Sequence, residues 1–388
     1  MELHSLPVMP EGFQCASVNC GLKEIGTDLS LFMSDVTCNA AAVFTKNQFP
    51  GAPVVVGREI IKQGKLRAIV VNSKVSNVGT GESGVANARK MGLAVAREFA
   101  IDPGQVLMSS TGVIAKPLPI EKIEAGIVGI GQQLSSDPLV GAQGIMTTDT
   151  YPKALSLSVG QATLTMVAKG SGMIEPNMAT MLVYAFTDAA ISSPALDTML
   201  RKAVDTSFNM LSVDTDTSTS DTCVIMASGH KGPVDEAAFS KALDFACIEM
   251  TKKLARDGEG ATKLLLAEAV NAYSRDEARA IAKSMVNSPL IKTMAYGADP
   301  NIGRVLMAVG KCFDCHVRPE RVEVSINSTL VYKEQSRVDF DEERVRKLLS
   351  GDCVHITVNL NEGTDQALAY GCDLTNGYIE ENAAYYSS

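Results

Sequence analysis

The amino-acid sequence predicts an α/β protein with mixed sheets. Strand-like and helix-like segments alternate along the chain, which is typical of this class. The chain has 388 residues, of which 46% are hydrophobic and 20% charged, so it can bury a large core. No low-complexity linker or internal repeat divides it, and we therefore expect any domain boundary to be structural rather than compositional.

The first half of the chain begins with two well-marked elements. Residues 67–72 contain the apolar run 68–71, typical of a buried strand, and residues 85–100 have the apolar spacing of an amphipathic helix. The following elements are, in order, a strand at 105–108, a helix at 120–134, and a hairpin of 154–158 and 162–167 that turns at Gly160.

The second half continues the alternation. A strand runs from Met181 to Phe186, and a Ser-Pro start predicts a helix over 193–210. The remaining predicted elements are a strand at 223–227, a helix at 235–256, an apolar run at 263–270, a helix at 276–286, strands at 322–326, 354–360 and 366–370, and a helix at 341–349.

Charge and cysteine content exclude several classes of protein. A net charge of −9 without a basic stripe argues against a nucleic-acid partner. No apolar run has the length of a membrane helix, and the N-terminus lacks the pattern of a signal peptide. The nine cysteines are scattered through apolar runs, which favours reduced thiols over a disulfide framework. We therefore expect a cytoplasmic protein of metabolism.

One stretch predicts a specific chemistry. Between Lys169 and Leu182, a glycine-rich polar run ends in Ala179 and Thr180 and is followed by the strand-like run. By itself, a threonine here is better explained by a backbone hydrogen bond at a strand entry. A threonine at a chain N-terminus, however, carries its own base, the α-amine, and can act as a nucleophile. That role requires cleavage of the Ala179–Thr180 peptide, most simply by Thr180 itself.

The same stretch and several others resemble the ornithine acetyltransferase (glutamate N-acetyltransferase) family, whose members cut themselves before such a threonine. The motifs run in family order from about residue 40 to the C-terminus. They are 110–114, 145–150, 214–222, 257–263, 287–290, 299–301 with 303–304, and 371–375 through Asn382.

The resemblance implies roles for particular residues. Thr111 and Gly112 would form an oxyanion hole, although their spacing alone favours a strand-to-loop turn. Without the resemblance, Lys169 and Glu259 are more safely interpreted as solvated surface charges. The implied substrate-binding residues are Thr147, Lys169, Thr180, Glu259, Asn382 and Ser387.

The resemblance also implies the reaction and the assembly. N2-acetyl-L-ornithine would acylate Thr180, and L-glutamate would then accept the acetyl group, a ping-pong mechanism of arginine biosynthesis. The implied fold has mixed sheets between helix layers (αββα-like), as in N-terminal-nucleophile proteins. An α fragment (1–179) and a β fragment (180–388) would stay together and pair as α2β2. No metal or organic cofactor is expected, and use of acetyl-CoA as a donor stays open.

Other interpretations of the sequence are weaker. A self-processing amidohydrolase or aminopeptidase on a similar scaffold would transfer the acyl group to water. Residues 79–84 match G-x-G-x-x-G, but six residues separate them from the preceding strand, unlike a dinucleotide-binding turn. Residues 312–316 have the c-type haem spacing without an export signal. The run 214–225 lacks the glycine and the glutamate of a calcium loop.

One segment departs from the family pattern. Residues 72–79 stand where the family more often carries an Asn/Ala-rich run, and Lys74 and Val75 are larger than the usual occupants. If this loop borders the acyl site, we expect it to affect substrate preference or the use of acetyl-CoA.

Overall fold

The computed structural model describes residues 2–175 and 181–383. This part of the chain forms two compact units, each with its own sheet. The first unit contains residues 2–170, 181–209 and 217–250, and the second contains residues 171–175, 210–216 and 251–383. Each unit therefore draws on chain from both sides of the Ala179–Thr180 bond.

The sheet of the first unit is mixed and has the strand order β1-β6-β7-β8-β9-β3-β4-β5, with β2 also paired to β3. Its strands are β1 (Glu2–Leu3), β2 (Phe13–Val18), β3 (Leu29–Phe44), β4 (Lys65–Asn72), β5 (Val106–Ser110), β6 (Lys153–Val159), β7 (Ala162–Lys169), β8 (Leu182–Thr187) and β9 (Thr222–Ala227). The pairs β4–β5 and β8–β9 are parallel, and the other paired strands are antiparallel.

Helices cover this sheet, and both of its faces are buried. The helices are α1 (Ala52–Ile60), α2 (Gly81–Phe99), α3 (Ile120–Ile127), α4 (Pro138–Ile145), α5 (Ser193–Thr206) and α6 (Glu236–Arg256), whose last residues belong to the second unit. Neighbouring side chains of β3 point to opposite faces. Leu31 packs in the core under α2 and α3, and Phe32 packs in the other core with Tyr184 and Phe186. Burying each such side chain contributes about 1.5–3 kcal/mol.

The second unit has a six-stranded mixed sheet of order β13-β12-β11-β14-β10-β15. Its elements are β10 (Leu264–Ala272), α7 (Arg275–Val286), α8 (Pro289–Tyr296), α9 (Ile302–Gly310), β11 (Glu323–Ile326), β12 (Thr329–Lys333), β13 (Ser336–Arg337), α10 (Glu342–Leu349), β14 (Cys353–Asn359), β15 (Asp365–Cys372) and α11 (Asn376–Asn382). Only β10 and β14 are parallel within it. Burial alternates along β10, because one face of the sheet is covered by α7.

The predicted α/β class, with mixed sheets and helix layers, is confirmed, and the hairpin at Gly160 is present as β6–β7. The helix predicted over 120–134 is shorter: it ends at Ile127, and a 3-10 turn follows Gly129. The helix predicted over 193–210 ends at Thr206. In the described residues, no helix combines the length and apolar character that crossing a bilayer requires.

Candidate active site

The predicted oxyanion residues lie where β5 ends in the first unit. β5 runs parallel to β4, with Ser110 beside Asn72. Beyond the strand, the Thr111 N–H donates to the Asn72 carbonyl at 3.0 Å. The Val113 N–H donates to the Lys74 carbonyl, also at 3.0 Å. Residues 111–113 are therefore fixed against residues 72–74, the segment that departs from the family pattern.

Gly112 cannot carry a side chain in this arrangement. Its φ is +124°, a region that L-residues avoid, and a Cβ would overlap the backbone of Lys74. Among residues 2–175 and 181–383, neither the Gly112 N–H nor the Thr111 hydroxyl has a hydrogen-bond partner. The strand end thus offers two donors of the kind that stabilise an oxyanion.

Asp149 brings Thr147 and Lys169 into one neighbourhood of the first unit. Its carboxylate accepts from the Thr147 N–H at 3.0 Å and from the Gly170 N–H at 2.7 Å. Lys169 is the last residue of β7 and directly precedes Gly170. Two segments that are far apart in sequence are therefore held on one buried carboxylate.

A buried ion pair completes this arrangement. The Lys153 Nζ lies 2.6 Å from Asp149 Oδ1, and both side chains are fully buried. Burial by itself raises the pKa of the Asp149 carboxyl, but the charges of Lys153 and Lys169 outweigh it and leave the pKa below its ordinary value. Asp149 was missed as a site residue, although it lies inside the 145–150 motif. The signal available was an aspartate four residues before a lysine that begins a buried strand.

A third cation approaches the same loop. The Lys23 Nζ donates to the Met146 carbonyl at 2.8 Å and to the Thr27 carbonyl at 3.2 Å. Burial lowers the pKa of Lys23, and the nearby charge of Asp28 opposes that change. No sequence pattern pointed to Lys23, because the contact with Met146 joins residues 123 positions apart.

We expect Asp149→Asn to lower the free energy of unfolding at pH 7 by about 3–5 kcal/mol, because it removes the buried carboxylate that compensates the Lys153 charge. The folded-state pKa of Asp149 is depressed, so its contribution is present above the unfolded value of about 3.8 and is lost as the pH falls through the folded value. The difference from the wild type should therefore persist from pH 7 to about pH 4 and shrink only below it. Urea unfolding at several pH values measures it.

Asp197→Asn is the matched control. Asp197 pairs with Arg201 at 2.8 Å, but both side chains are about half exposed. Its loss should change the free energy of unfolding by less than about 1 kcal/mol. Equal effects of the two substitutions would show that burial does not set the strength of the Asp149 pair.

Glu259 and Asn382 meet in the second unit. Glu259 is 8% exposed, and its Oε2 accepts from the Asn382 Nδ2 at 2.7 Å. Its N–H donates to the Ser171 carbonyl at 3.1 Å. The flanking glycines do not leave open space for a ligand: a Cβ at Gly258 would lie 2.6 Å from the Cys372 Sγ, and one at Gly260 would overlap the Gly377 backbone. They are small because residues 372–378 pack against them.

Tyr378, on α11, is a further ionisable group at this place. Its pKa is raised to about 12 by burial first, and then by the negative charges of Asp214 and Glu259. At neutral pH the phenol therefore remains protonated, and its O–H is a donor beside two carboxylates. Sequence reasoning missed Tyr378, because an isolated tyrosine near a chain end gives no catalytic pattern.

The structure thus forms three local groups from the predicted residues. Thr111 lies with Gly112, Thr147 lies near Lys169, and Glu259 is bonded to Asn382. Ala179, Thr180 and Ser387 lie outside the described residues.

In the run 312–316, which has the c-type haem spacing, the His316 Nδ1 lies 2.8 Å from Glu277 Oε1, and the imidazole ring stacks on Tyr273 with centroids 4.1 Å apart. The imidazole is thus held by a carboxylate and an aromatic ring. The G-x-G-x-x-G run opens α2 at Gly81, well after β4 ends at Asn72, as the sequence indicated.

Comparison with known proteins assigns the family. The ArgJ family matches residues 14–387. The arginine biosynthesis bifunctional protein ArgJ 2 of Nostoc sp. is 45% identical over 97% of both chains. The glutamate N-acetyltransferase Oat2 of Streptomyces clavuligerus is 40% identical over 98% of this chain and 99% of its own. A solved ArgJ of Bacillus halodurans is 40% identical, covering 51% of this chain and 96% of the solved one, with a TM-score of 0.49. The chain therefore belongs to the ArgJ family.

Proposed function

We propose that this chain is a glutamate N-acetyltransferase that moves the acetyl group of N2-acetyl-L-ornithine to L-glutamate through an acetyl ester on Thr180. The observation that carries the proposal is the similarity over nearly the whole chain to relatives named for arginine biosynthesis and for glutamate N-acetyl transfer. The three local groups described above supply the types of side chain that this reaction needs.

Activation begins with cleavage before Thr180. The Thr180 hydroxyl attacks the Ala179 carbonyl, the peptide C–N bond breaks, and the released amine takes up the hydroxyl proton. Water then hydrolyses the resulting ester, which leaves a carboxylate on Ala179 and a Thr180 with a free α-amine and a free hydroxyl. The new amine is positioned to act as a base in every later turnover.

Acetyl transfer repeats this chemistry in two halves. The Thr180 Oγ attacks the acetyl carbonyl of N2-acetylornithine while the α-amine accepts its proton and then passes a proton to the departing ornithine amine. The glutamate amine next attacks the Thr180 ester and restores the hydroxyl. The oxyanion of each tetrahedral intermediate is stabilised by the Thr111 hydroxyl and the Gly112 N–H, since both donors have no other partner in the described residues.

The substrate-binding residues we propose are Thr147, Lys169, Thr180, Glu259, Asn382 and Ser387. N-acetylornithine presents a carboxylate and an ammonium group, which call for a cation and an anion respectively. Lys169 supplies positive charge, and Lys23 adds to it in the same neighbourhood. Glu259 is a buried carboxylate that Asn382 orients.

We further propose that cleavage gives fragments 1–179 and 180–388, which remain paired and assemble as α2β2 in the cytoplasm. The pairing is supported by β7 and β8, which lie on opposite sides of the cleaved bond and are antiparallel neighbours from Leu164–Thr187 to Lys169–Leu182. A cut would leave their hydrogen bonds intact. The nine cysteines all lie in the described residues and are thiols rather than disulfides, which is consistent with a reducing compartment.

The test is rapid mixing of the purified enzyme with N-acetylornithine, without and then with glutamate. We expect about one equivalent of ornithine per active site in a burst, and continued turnover to N-acetylglutamate only when glutamate is added. Peptide mapping of the trapped enzyme should locate the acetyl group on Thr180. If free acetate were released at the same rate with and without glutamate, the amidohydrolase would be favoured instead. The same assay with acetyl-CoA decides whether it is a second donor.

A further inference from the structure

The residues that precede the cleavage segment are held by several side-chain and backbone bonds in the second unit. We call residues 171–175 the approach segment, because they lead to the cleaved bond. At its start, the Ser171 Oγ donates to the Asp257 carbonyl at 2.6 Å, and the Ser171 carbonyl accepts from the Glu259 N–H. Ser171 is thus attached to one loop through both its side chain and its backbone.

Asp214 holds the middle of the approach segment. Its carboxylate accepts from the Met173 N–H at 2.6 Å and from the Ile174 N–H at 2.8 Å. Backbone bonds continue the contact: the Val213 N–H donates to the Ile174 carbonyl at 2.7 Å, and the Glu175 N–H donates to the Asp216 carbonyl at 2.9 Å. Met173 has a φ of +54°, a conformation uncommon for a side-chain-bearing residue, which these bonds keep in place.

Glu175 anchors the end of the approach segment through its side chain. The Asn287 Nδ2 lies 2.9 Å from both carboxylate oxygens, and the Lys283 Nζ lies 3.1 Å from Oε1. The Ser212 Oγ donates to Oε2 at 3.3 Å. Lys283 is itself fixed, since its Nζ also donates to the Leu211 carbonyl at 3.0 Å. The Glu175 and Lys283 side chains are about four-fifths buried, so water weakens these bonds little.

We propose that Asp214 and Glu175 are positioning residues for self-cleavage: they restrain the approach segment, which leads to the Ala179–Thr180 bond. An intramolecular attack needs its reacting atoms about 3–3.5 Å apart and aligned, and restraint of the flanking chain supplies much of that advantage. The bonds given above join Asp214 and Glu175 to residues 173, 174, 212, 216, 283 and 287, none of which is assigned to acetyl transfer. This inference rests on the proposed function, because it presumes cleavage before Thr180.

The inference separates maturation from turnover. In Asp214→Asn, an NH2 group replaces one carboxylate oxygen, so the Met173 and Ile174 N–H groups both lose a charged partner and one of them loses its acceptor. In Glu175→Gln, the ion pair with Lys283 is lost while the shape is kept. We expect each variant to cleave at least about tenfold more slowly than the wild type, measured by intact mass over time after rapid purification. The cleaved fraction of Glu175→Gln should show wild-type kcat and KM per cut chain, whereas Asp214→Asn is read by its cleavage rate alone, because Asp214 also lies near Tyr378 and Glu259.

Asp341→Asn is the matched control. Asp341 also accepts from a backbone N–H, that of Arg344 at 2.9 Å, and it lies in the same unit at the start of α10. That bond is remote in sequence from the approach segment, and the variant should cleave at the wild-type rate. Thermal unfolding of all variants identifies any that fail to fold; if Asp214→Asn fails, Glu175→Gln alone decides.

The outcomes separate the two proposals. A wild-type chain that stays uncut overturns the proposed function. A wild type that is cut, with both variants maturing at the wild-type rate, overturns only the positioning role. Slow maturation of Glu175→Gln together with an equal loss of kcat in its cut fraction also overturns the positioning role, because it would indicate a general defect of the fold.

Discussion

Replacement of Thr180 by alanine is expected to leave one uncut chain of 388 residues and to abolish acetyl transfer. The variant lacks the hydroxyl that attacks the Ala179 carbonyl, so no α-amine is released, and the nucleophile and its base are lost together. Removal of the nucleophile in enzymes that form a covalent intermediate lowers kcat by roughly 10⁴-fold or more. Intact mass should show residues 1–179 and 180–388 for the wild type and one mass for the variant.

Two further substitutions make this test specific. Thr180→Ser keeps a hydroxyl and should still be cut and acetylated, at a lower rate. Thr198→Ala removes a hydroxyl from α5, where Thr198 donates to the Pro194 carbonyl at 3.0 Å, and should behave as the wild type. An intact wild-type mass after full maturation, or an acetyl group trapped on a different side chain, would contradict the mechanism.

Much of the fold could be predicted, because local patterns and tertiary packing agree over most of the chain. The β6–β7 hairpin has clear alternation and a glycine at its turn, where Gly160 has a φ of +62° and open space around its α-carbon. The strand β3 offered no such signal. It extends from Leu29 to Phe44 and shifts register between Met33 and Cys38, so no single period describes it.

The site could be predicted only in part, for a related reason. Thr147 and Lys169 lie in recognisable motifs, but the residue that connects them, Asp149, is defined by burial and by a long-range bond to the Gly170 N–H. The motif at 287–290 was visible in sequence, yet its bond to Glu175 joins residues 112 positions apart. Motifs identify residues of interest, but a single sequence contains no pattern that shows which distant residues they contact in the fold.

The segment that departs from the family pattern gains a physical meaning from its place. Lys74 has a φ of +77°, and its carbonyl accepts from the Val113 N–H. Val75 pairs with Val113 in a parallel bridge, and the Ser76 N–H and hydroxyl both bond to the Val113 carbonyl. Residues 74–76 thus form one wall of the strand end that carries Thr111 and Gly112. Changes in this segment should affect the proposed oxyanion donors, Thr111 and Gly112, before they affect more distant residues.

The proposed role of the Gly112 N–H as an oxyanion donor is tested most directly by replacing Gly112. We expect Gly112→Ala to lower kcat for acetyl transfer by roughly 10²–10³-fold, the usual effect of losing one oxyanion donor. A Cβ would overlap the Lys74 backbone, and φ at +124° is strained for alanine, so the peptide carrying the Gly112 N–H must rotate away. Steady-state kinetics on the cut fraction measure this, with ornithine release as the signal.

Gly160→Ala separates this effect from backbone strain in general. Gly160 also has a positive φ, at +62°, but nothing lies within 4 Å of the position that an alanine methyl group would take. Alanine there should therefore cost about 1–2 kcal/mol of stability and leave kcat unchanged. If Gly112→Ala kept wild-type kcat with a similar loss of stability, the Gly112 N–H would not be an oxyanion donor. If both variants lost activity equally, the loss would reflect destabilisation, because only Gly112 borders the wall formed by residues 74–76.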